Sequence, residues 1–210
     1  MLFRSDVGAG TGRVAIALAR DGHAVTALDQ DPRLLAALGS RAGHLPVRTV
    51  HADARDFSVA GRYALCLVPM QTIQLLGGPA ERVRCLSRIR THLQPGGLAA
   101  LAISEALEPF DPGPDIRLPL PDQRELDGVV YSSQPTAVRA GTGGFVLERR
   151  REIVERDGVH RTAEDRIELA ALRADELERE GERAGLHPRG RRTIPATNDY
   201  VGSTVVMFGA

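Results

Sequence analysis

The sequence predicts an α/β protein: a mainly parallel sheet covered by helices, with an antiparallel sheet inserted late in the chain. Three observations carry this. The first half alternates continuous apolar runs with helical patterns, the mark of parallel strands buried on both faces. A glycine-rich stretch, DVGAGTGR at residues 6–13, stands between the first strand and the first helix. The second half abandons this alternation for a proline-dense loop, followed by long charged segments joined by turn residues.

The elements follow in order. MLFRSDV is a strand. TGRVAIALARDG is a helix, with Val14, Leu18 and neighbouring alanines turned inward and Gly22 as its stop. HAVTALD is an apolar strand ending on Asp29. DPRLLAALGSRAG is a helix with Pro32 at a first helical position and Leu34, Leu35 and Leu38 on one face. PVRTVHAD and RYALCLVP are the third and fourth strands. PAERVRCLSRIRTHLQPGG is an amphipathic helix ended by Pro95-Gly96-Gly97, and GLAALAI is the fifth strand. Right-handed crossovers should join these units.

EPFDPGPDIRLPLPDQ reads as loop. After it GVVYSSQPTAVRA, GFVLERRREIVER and VHRTAEDRIELAAL read as antiparallel strands, the last two joined by a two-residue turn at Asp157-Gly158. RADELEREGERAG is a helix stopped by Gly185, and LHPRGRRTI and YVGSTVVMFG close the chain as strands.

Composition excludes several classes. At 210 residues and 42% hydrophobic, the chain suits one domain with an ordinary core. Its formal net charge is zero, so no broad field draws nucleic acid or an acidic membrane. All 27 basic residues are arginine. Cys66 and Cys85 make neither a disulfide framework nor a metal cluster, and Cys66 lies in an apolar run as a core residue. The opening MLFR is too short for a signal peptide, and no apolar run reaches membrane-spanning length. A reducing cytoplasm is the expected compartment. In ERRREIVER acids balance arginines, which reads as a solvated strand face or a subunit contact.

Glycines at positions 8, 10 and 12 permit positive φ and let a ligand touch the backbone. Between a strand and a helix they bring that ligand to the helix N-terminus. In an open parallel sheet the crevice lies at the carboxyl ends of the strands, where Asp29 and Asp53 also fall. An acid ending the second strand suits two ribose hydroxyls. The loop alone does not choose a cofactor: GTGRVA, aligned at Gly10, fits the dinucleotide pattern with Asp29 near the expected spacing, so a nicotinamide or flavin enzyme stays open.

Four motifs together are more specific. DVGAGTGR resembles the first motif of class I S-adenosylmethionine-dependent methyltransferases. VTALDQDP resembles their second, HADARDF their third-strand motif, and LQPGG the lead into their fifth strand. The resemblance spans residues 6–103 in order and spacing. It implies a Rossmann-like, mainly parallel seven-stranded sheet with an antiparallel last strand. An antiparallel insertion of residues 105–172 would serve as substrate lid or dimer contact. It also implies capping helices ahead of the glycine motif, where this sequence has only five residues, and apolar residues where Arg4 and Ser5 stand. A truncated or mis-assigned start is the corresponding expectation.

Site roles follow from the resemblance. Asp6, Gly8, Gly10 and Gly12 would form the floor under the methionine part and ribose of S-adenosylmethionine. Asp29 would hold the ribose hydroxyls, and Asp53 with the Ala54 backbone would meet the adenine. Pro69 and Met70 would line the methyl-donor side. Gln71 and Gln74 are candidates to position a polar group of the substrate, and Glu105, after the fifth strand, is a weaker one. His51 and His92 read as packing or helix-end residues before bases, and His160 as solvated. No catalytic residue is named. The expected activity is methyl transfer to a nitrogen, oxygen or carbon of a small molecule, with neither nucleic acid nor membrane as partner and with a possible homodimer. An NAD(P)-dependent oxidoreductase and a non-catalytic binding module of the same fold are the alternatives.

Overall fold

The computed structural model describes residues 4–105, 107–113, 117–197 and 201–210. The chain divides into two compact units, one formed by 1–105 with 172–210, the other by 106–171.

In the first unit β1 (Arg4–Val7), β2 (Val25–Asp29), β3 (Val47–His51), β4 (Tyr63–Val68) and β5 (Leu93–Ile103) are parallel. The seven-stranded sheet has the order β10-β11-β5-β4-β1-β2-β3, where β10 is His187–Ile194 and β11 is Ser203–Gly209. Strand β11 runs antiparallel to both β5 and β10. The reversal of strand order places β1 and β4 side by side at the centre.

Four helices belong to this unit: α1 (Arg13–Arg20), α2 (Pro32–Ala42), α3 (Pro79–His92) and α4 (Ala174–Arg183), with a short 3₁₀ turn at Thr72–Leu76. Helix α2 begins as its sequence implies, with the Asp31 carboxylate accepting from Arg33 N at 2.8 Å and Pro32 at the first helical position. One core cluster gathers Val7, Val68, Leu86, Ile89, Leu101 and Phe208; a second, under α1 and α2, gathers Ala15, Ile16, Ala27, Leu35 and Leu38. The buried stripe of α1 is therefore Ala15, Ile16 and Ala19, with Val14 and Leu18 at its flanks, and Leu34 is exposed. Strand β5 starts at Leu93, earlier than the Pro-Gly-Gly signal suggests, because Leu93 pairs with Tyr63 before the register shifts at the glycines.

A buried ion pair joins two helices of this unit. The Arg82 guanidinium on α3 makes two hydrogen bonds to the Glu180 carboxylate on α4, at 2.8 and 2.6 Å, and a third to the Gly77 carbonyl.

The second unit is a four-stranded antiparallel sheet in the order β6 (Asp122–Leu126), β7 (Val129–Gly141), β8 (Gly144–Val154), β9 (His160–Ala170). It contains one strand more than the sequence reading. Strand β6 begins inside the stretch assigned to loop, and all five of its residues are exposed, so no hydrophobic alternation announced it. Its signal was the turn: Asp127 (φ 52°) and Gly128 (φ 73°) make the two-residue connection to β7. At Asp157-Gly158 the connection is longer. Glu155 and Val159 are joined by a backbone hydrogen bond of 2.9 Å, and Gly158 takes the left-handed conformation that closes the turn.

Candidate functional site

The parallel strands deliver their carboxyl ends to one edge of the sheet, and loops from β1 to β5 meet there. After Val7 the backbone passes through Gly8 (φ 77°), Gly10 (φ 54°) and Gly12 (φ 88°), all left-handed. The three glycines serve different purposes. A Cβ at Gly8 would lie 2.3 Å from Cγ2 of Thr72, and one at Gly12 would lie 2.8 Å from Cγ of Leu38. At Gly10 a Cβ would meet nothing within 4 Å. Gly8 and Gly12 are thus demanded by protein packing, while Gly10 borders open space where a ligand can approach the backbone. Helix α1 begins at Gly12 without a side-chain cap, so its first N–H groups face the same region. Arg41 braces the loop from α2, donating to the Thr11 carbonyl at 2.7 Å and to its hydroxyl at 2.8 Å.

Asp29, at the end of β2, is joined directly to this loop. Its Oδ2 accepts from Gly10 N at 2.8 Å and its Oδ1 from Asp31 N at 2.9 Å. Each oxygen keeps a further acceptor site. The next strand is tied in by Ala52 N, which donates to the Asp29 carbonyl at 3.1 Å, and by His51 Nε2 at 3.1 Å from the Gln30 carbonyl.

Asp6 lies in β1 directly before the loop, fully buried, and neither of its carboxyl oxygens has a hydrogen-bond partner of standard geometry. Burial pushes its pKa up to about 7; the Ala15 backbone N–H opposes this and the Asp29 charge adds to it. Ser5, the polar residue beside it, is also buried and faces the equally buried Cys66 across the register. The Cys66 thiol is pushed up to about 12, first by burial.

Asp53 follows β3, and its carboxylate is held by Arg55, which contacts it at 2.5–3.0 Å and also approaches Glu81 at 3.4 Å. That guanidinium holds the Asp53 pKa below the usual carboxylate range. Ala54 is buried beside it.

The turn after β4 departs from ordinary backbone. Met70 (φ 54°) and Gln71 (φ 61°) are consecutive non-glycine residues in the left-handed region, a conformation that costs on the order of 1–3 kcal/mol each. Met70 is half exposed. Gln71 Nε2 donates to Ser104 Oγ at 3.2 Å and to Ser203 Oγ at 3.3 Å. Gln74 is buried, and its amide brackets the Ser104 backbone, accepting from Ser104 N at 2.9 Å and donating to Ser104 O at 3.1 Å. Its amide is therefore committed to joining the 3₁₀ turn to the end of β5 and is not presented to a substrate. Thr72 completes the turn with its hydroxyl on the Pro69 carbonyl at 2.7 Å.

The remaining candidates are committed elsewhere. His92 is buried on Phe57 (centroids 4.7 Å apart), receives Val59 N on Nε2 at 3.2 Å and donates from Nδ1 to the Arg88 carbonyl at 2.7 Å. Glu105 accepts from Ala174 N and from the Thr204 hydroxyl, each at 2.8 Å, and these bonds, the backbone one foremost, hold its pKa below the usual range. His160 lies in the four-stranded sheet, 3.9 Å from Glu152. Among the described residues no cluster of His, Cys, Asp and Glu is placed to hold a metal ion, and no helix is long and apolar enough to cross a membrane. Thr72, Ser104, Ser203 and Arg55 were not singled out by sequence reasoning. Their positions become meaningful only when loops from different strands meet.

Comparison with known proteins agrees with this geometry. Residues 5–97 match the family model described as a methyltransferase domain. A curated relative, the cypemycin N-terminal methyltransferase of a Streptomyces species, is 31% identical over 112 residues, which is 53% of this chain and 46% of that protein. The chain thus matches about half the length of that relative. Among solved structures, a S-adenosylmethionine-bound amino pentose methyltransferase from Micromonospora echinaspora superposes with a TM-score of 0.70 at 21% identity, covering 98% of this chain and 83% of that one. A sugar N-methyltransferase from a Streptoalloteichus species gives a TM-score of 0.73 at 18% identity, covering 98% and 79%. At these identities the likeness is one of fold, and it extends over nearly the whole chain.

Proposed function

We propose that this chain, a member of the class I S-adenosylmethionine-dependent methyltransferase superfamily, transfers a methyl group from S-adenosylmethionine to an amine of a small molecule or peptide terminus. The observation that carries the reading is the clasp of Asp29 on Gly10 beside open space. It fixes a carboxylate with spare acceptor sites next to backbone that a ligand can touch. The residues present fit the cofactor on this ground, with the buried Asp6 carboxyl lying beneath the loop. The choice of nitrogen as acceptor rests on the N-methyltransferases among the similar proteins.

In this reading the Gly8–Gly12 loop, with Asp6 beneath it, carries the methionine part and ribose. Asp29 accepts from the ribose hydroxyls. Asp53, held flat by Arg55, and Ala54 face the adenine, and Pro69 and Met70 border the methyl. When bound, S-adenosylmethionine supplies a methyl carbon already activated on a positive sulfur. The protein's task is then orientation, which can contribute on the order of 7–11 kcal/mol without a general base. The two buried, unpaired cysteines accord with a reducing cytoplasm. The nicotinamide alternative finds no support in the family match.

Two measurements test the reading. Titration calorimetry should show S-adenosylhomocysteine binding and no NADP binding at similar concentration; the reverse pattern overturns it. Mass spectrometry after incubation with S-adenosylmethionine and a panel of amino-sugar nucleotides and free-amine peptides should then find a methylated amine.

A further inference from the structure

The turn between β4 and the 3₁₀ segment combines features that packing alone does not require. Met70 and Gln71 are the only consecutive non-glycine residues with positive φ among those described; the remaining such residue, Asp127, serves a hairpin turn. Backbone strain of this kind persists where surrounding bonds over-determine it. Here those bonds are identifiable. Both amide hydrogens of Gln71 are taken by the Ser104 and Ser203 hydroxyls, at 3.2 and 3.3 Å. Gln71 O accepts from Gln74 N at 2.8 Å, and Gln74 in turn grips Ser104.

The orientation of the Gln71 amide is set by its partners. Ser104 Oγ donates its own hydrogen to the Gly202 carbonyl at 3.3 Å, so it must accept from Gln71. The amide nitrogen therefore points to the serines, and Oε1 is left on the other side, without a hydrogen bond among the described residues and on a partly exposed side chain. The next residue, Thr72, is the one whose methyl occupies the space a Cβ at Gly8 would need. The turn thus abuts the glycine loop, and Gln71 stands where the loop after β4 meets the ends of β5 and β11.

We propose that Gln71 orients the methyl acceptor: its fixed Oε1 accepts a hydrogen bond from an N–H of the acceptor amine and so aims the nitrogen lone pair at the methyl group. This rests on the methyltransferase reading given above and adds to it the residue that selects an acceptor atom bearing a hydrogen, such as an amine nitrogen, over one without. A carbonyl oxygen discriminates in this way because it can only accept; an acceptor atom without a hydrogen leaves it unpaired. Ser104 and Ser203 are positioning residues that act through Gln71.

The test uses a probe that needs no known acceptor. Sinefungin is a cofactor analogue with a primary amine on carbon in place of the sulfonium methyl, so it presents N–H groups where donor and acceptor meet. Calorimetry should give a Gln71→Ala protein that binds S-adenosylhomocysteine as the wild type does but binds sinefungin about tenfold more weakly. Ser104→Ala combined with Ser203→Ala, which releases the Gln71 amide, should weaken sinefungin in the same direction and leave S-adenosylhomocysteine binding unchanged. Unchanged S-adenosylhomocysteine binding also reports that the variants fold. The proposal is overturned if sinefungin affinity is unaltered in Gln71→Ala, or if both ligands weaken together. If the wild-type protein binds neither ligand, the cofactor assignment itself fails, and the role of Gln71 falls with it.

Discussion

Asp29 Oδ2 accepts a hydrogen bond from Gly10 N at 2.8 Å, joining the end of β2 to the one glycine of the loop that borders open space. The same carboxylate fixes the loop and offers acceptor sites beyond it. Asp29→Ala removes charge-assisted hydrogen bonds of about 1.5–3 kcal/mol each. S-adenosylhomocysteine affinity should fall at least roughly tenfold in calorimetry. A dissociation constant equal to the wild-type value would move the ribose site elsewhere.

The glycines can be separated by substitution. Gly8→Ala drives a methyl into Thr72 and should lower the melting temperature with no ligand present. Gly10→Ala meets no neighbour and should cost only the left-handed strain of about 1–2 kcal/mol, yet it should lose most cofactor binding. Equal melting temperatures for the two variants would contradict the division of roles.

Asp6 should make stability depend on pH. Its folded-state pKa, about 7, lies above that of the unfolded chain, near 4. The folded state therefore binds more protons across this window, and its contribution, complete below pH of about 4, is lost as pH rises to about 7. Denaturant titrations should show stability falling between these limits, with the fall reduced in Asp6→Asn. A wild-type profile that is flat or rising, identical to that of Asp6→Asn, would disprove the assignment.

The Arg82–Glu180 pair is buried on both sides. Replacing Glu180 alone with Gln leaves a guanidinium short of its counter-charge and should cost about 3–5 kcal/mol. The double replacement Arg82→Met with Glu180→Met should recover most of that loss. A single substitution without effect on denaturation would show the pair to be solvated.

Strands β6 and β9 are the edges of the four-stranded sheet, and β6 is exposed along its whole length. Uncovered edges favour pairing, and we expect this unit to associate with a second copy of the chain. Light scattering across a range of concentrations should report a dimer. A monomeric mass at every concentration rejects this.

The sequence by itself determined the order of the strands and helices of the first unit, the glycine loop after β1 and the acid at the end of β2. These are local: periodicity, caps and turn chemistry are written in neighbouring residues. The resemblance over residues 6–103 was legible in the same way, because its four motifs are short stretches read in order and spacing. Tertiary structure decided the rest. That Gly8 makes room for Thr72 while Gly10 faces open space depends on which side chain arrives from another strand. That Gln74 is spent on Ser104 while Gln71 keeps a free carbonyl depends on bonds spanning 30 to 132 residues of chain. Strand β6 has no buried face to impose alternation, so only its pairing with β7 reveals it. Local patterns select elements, but a hydrogen bond between loops exists only after the sheet has brought its strand ends together.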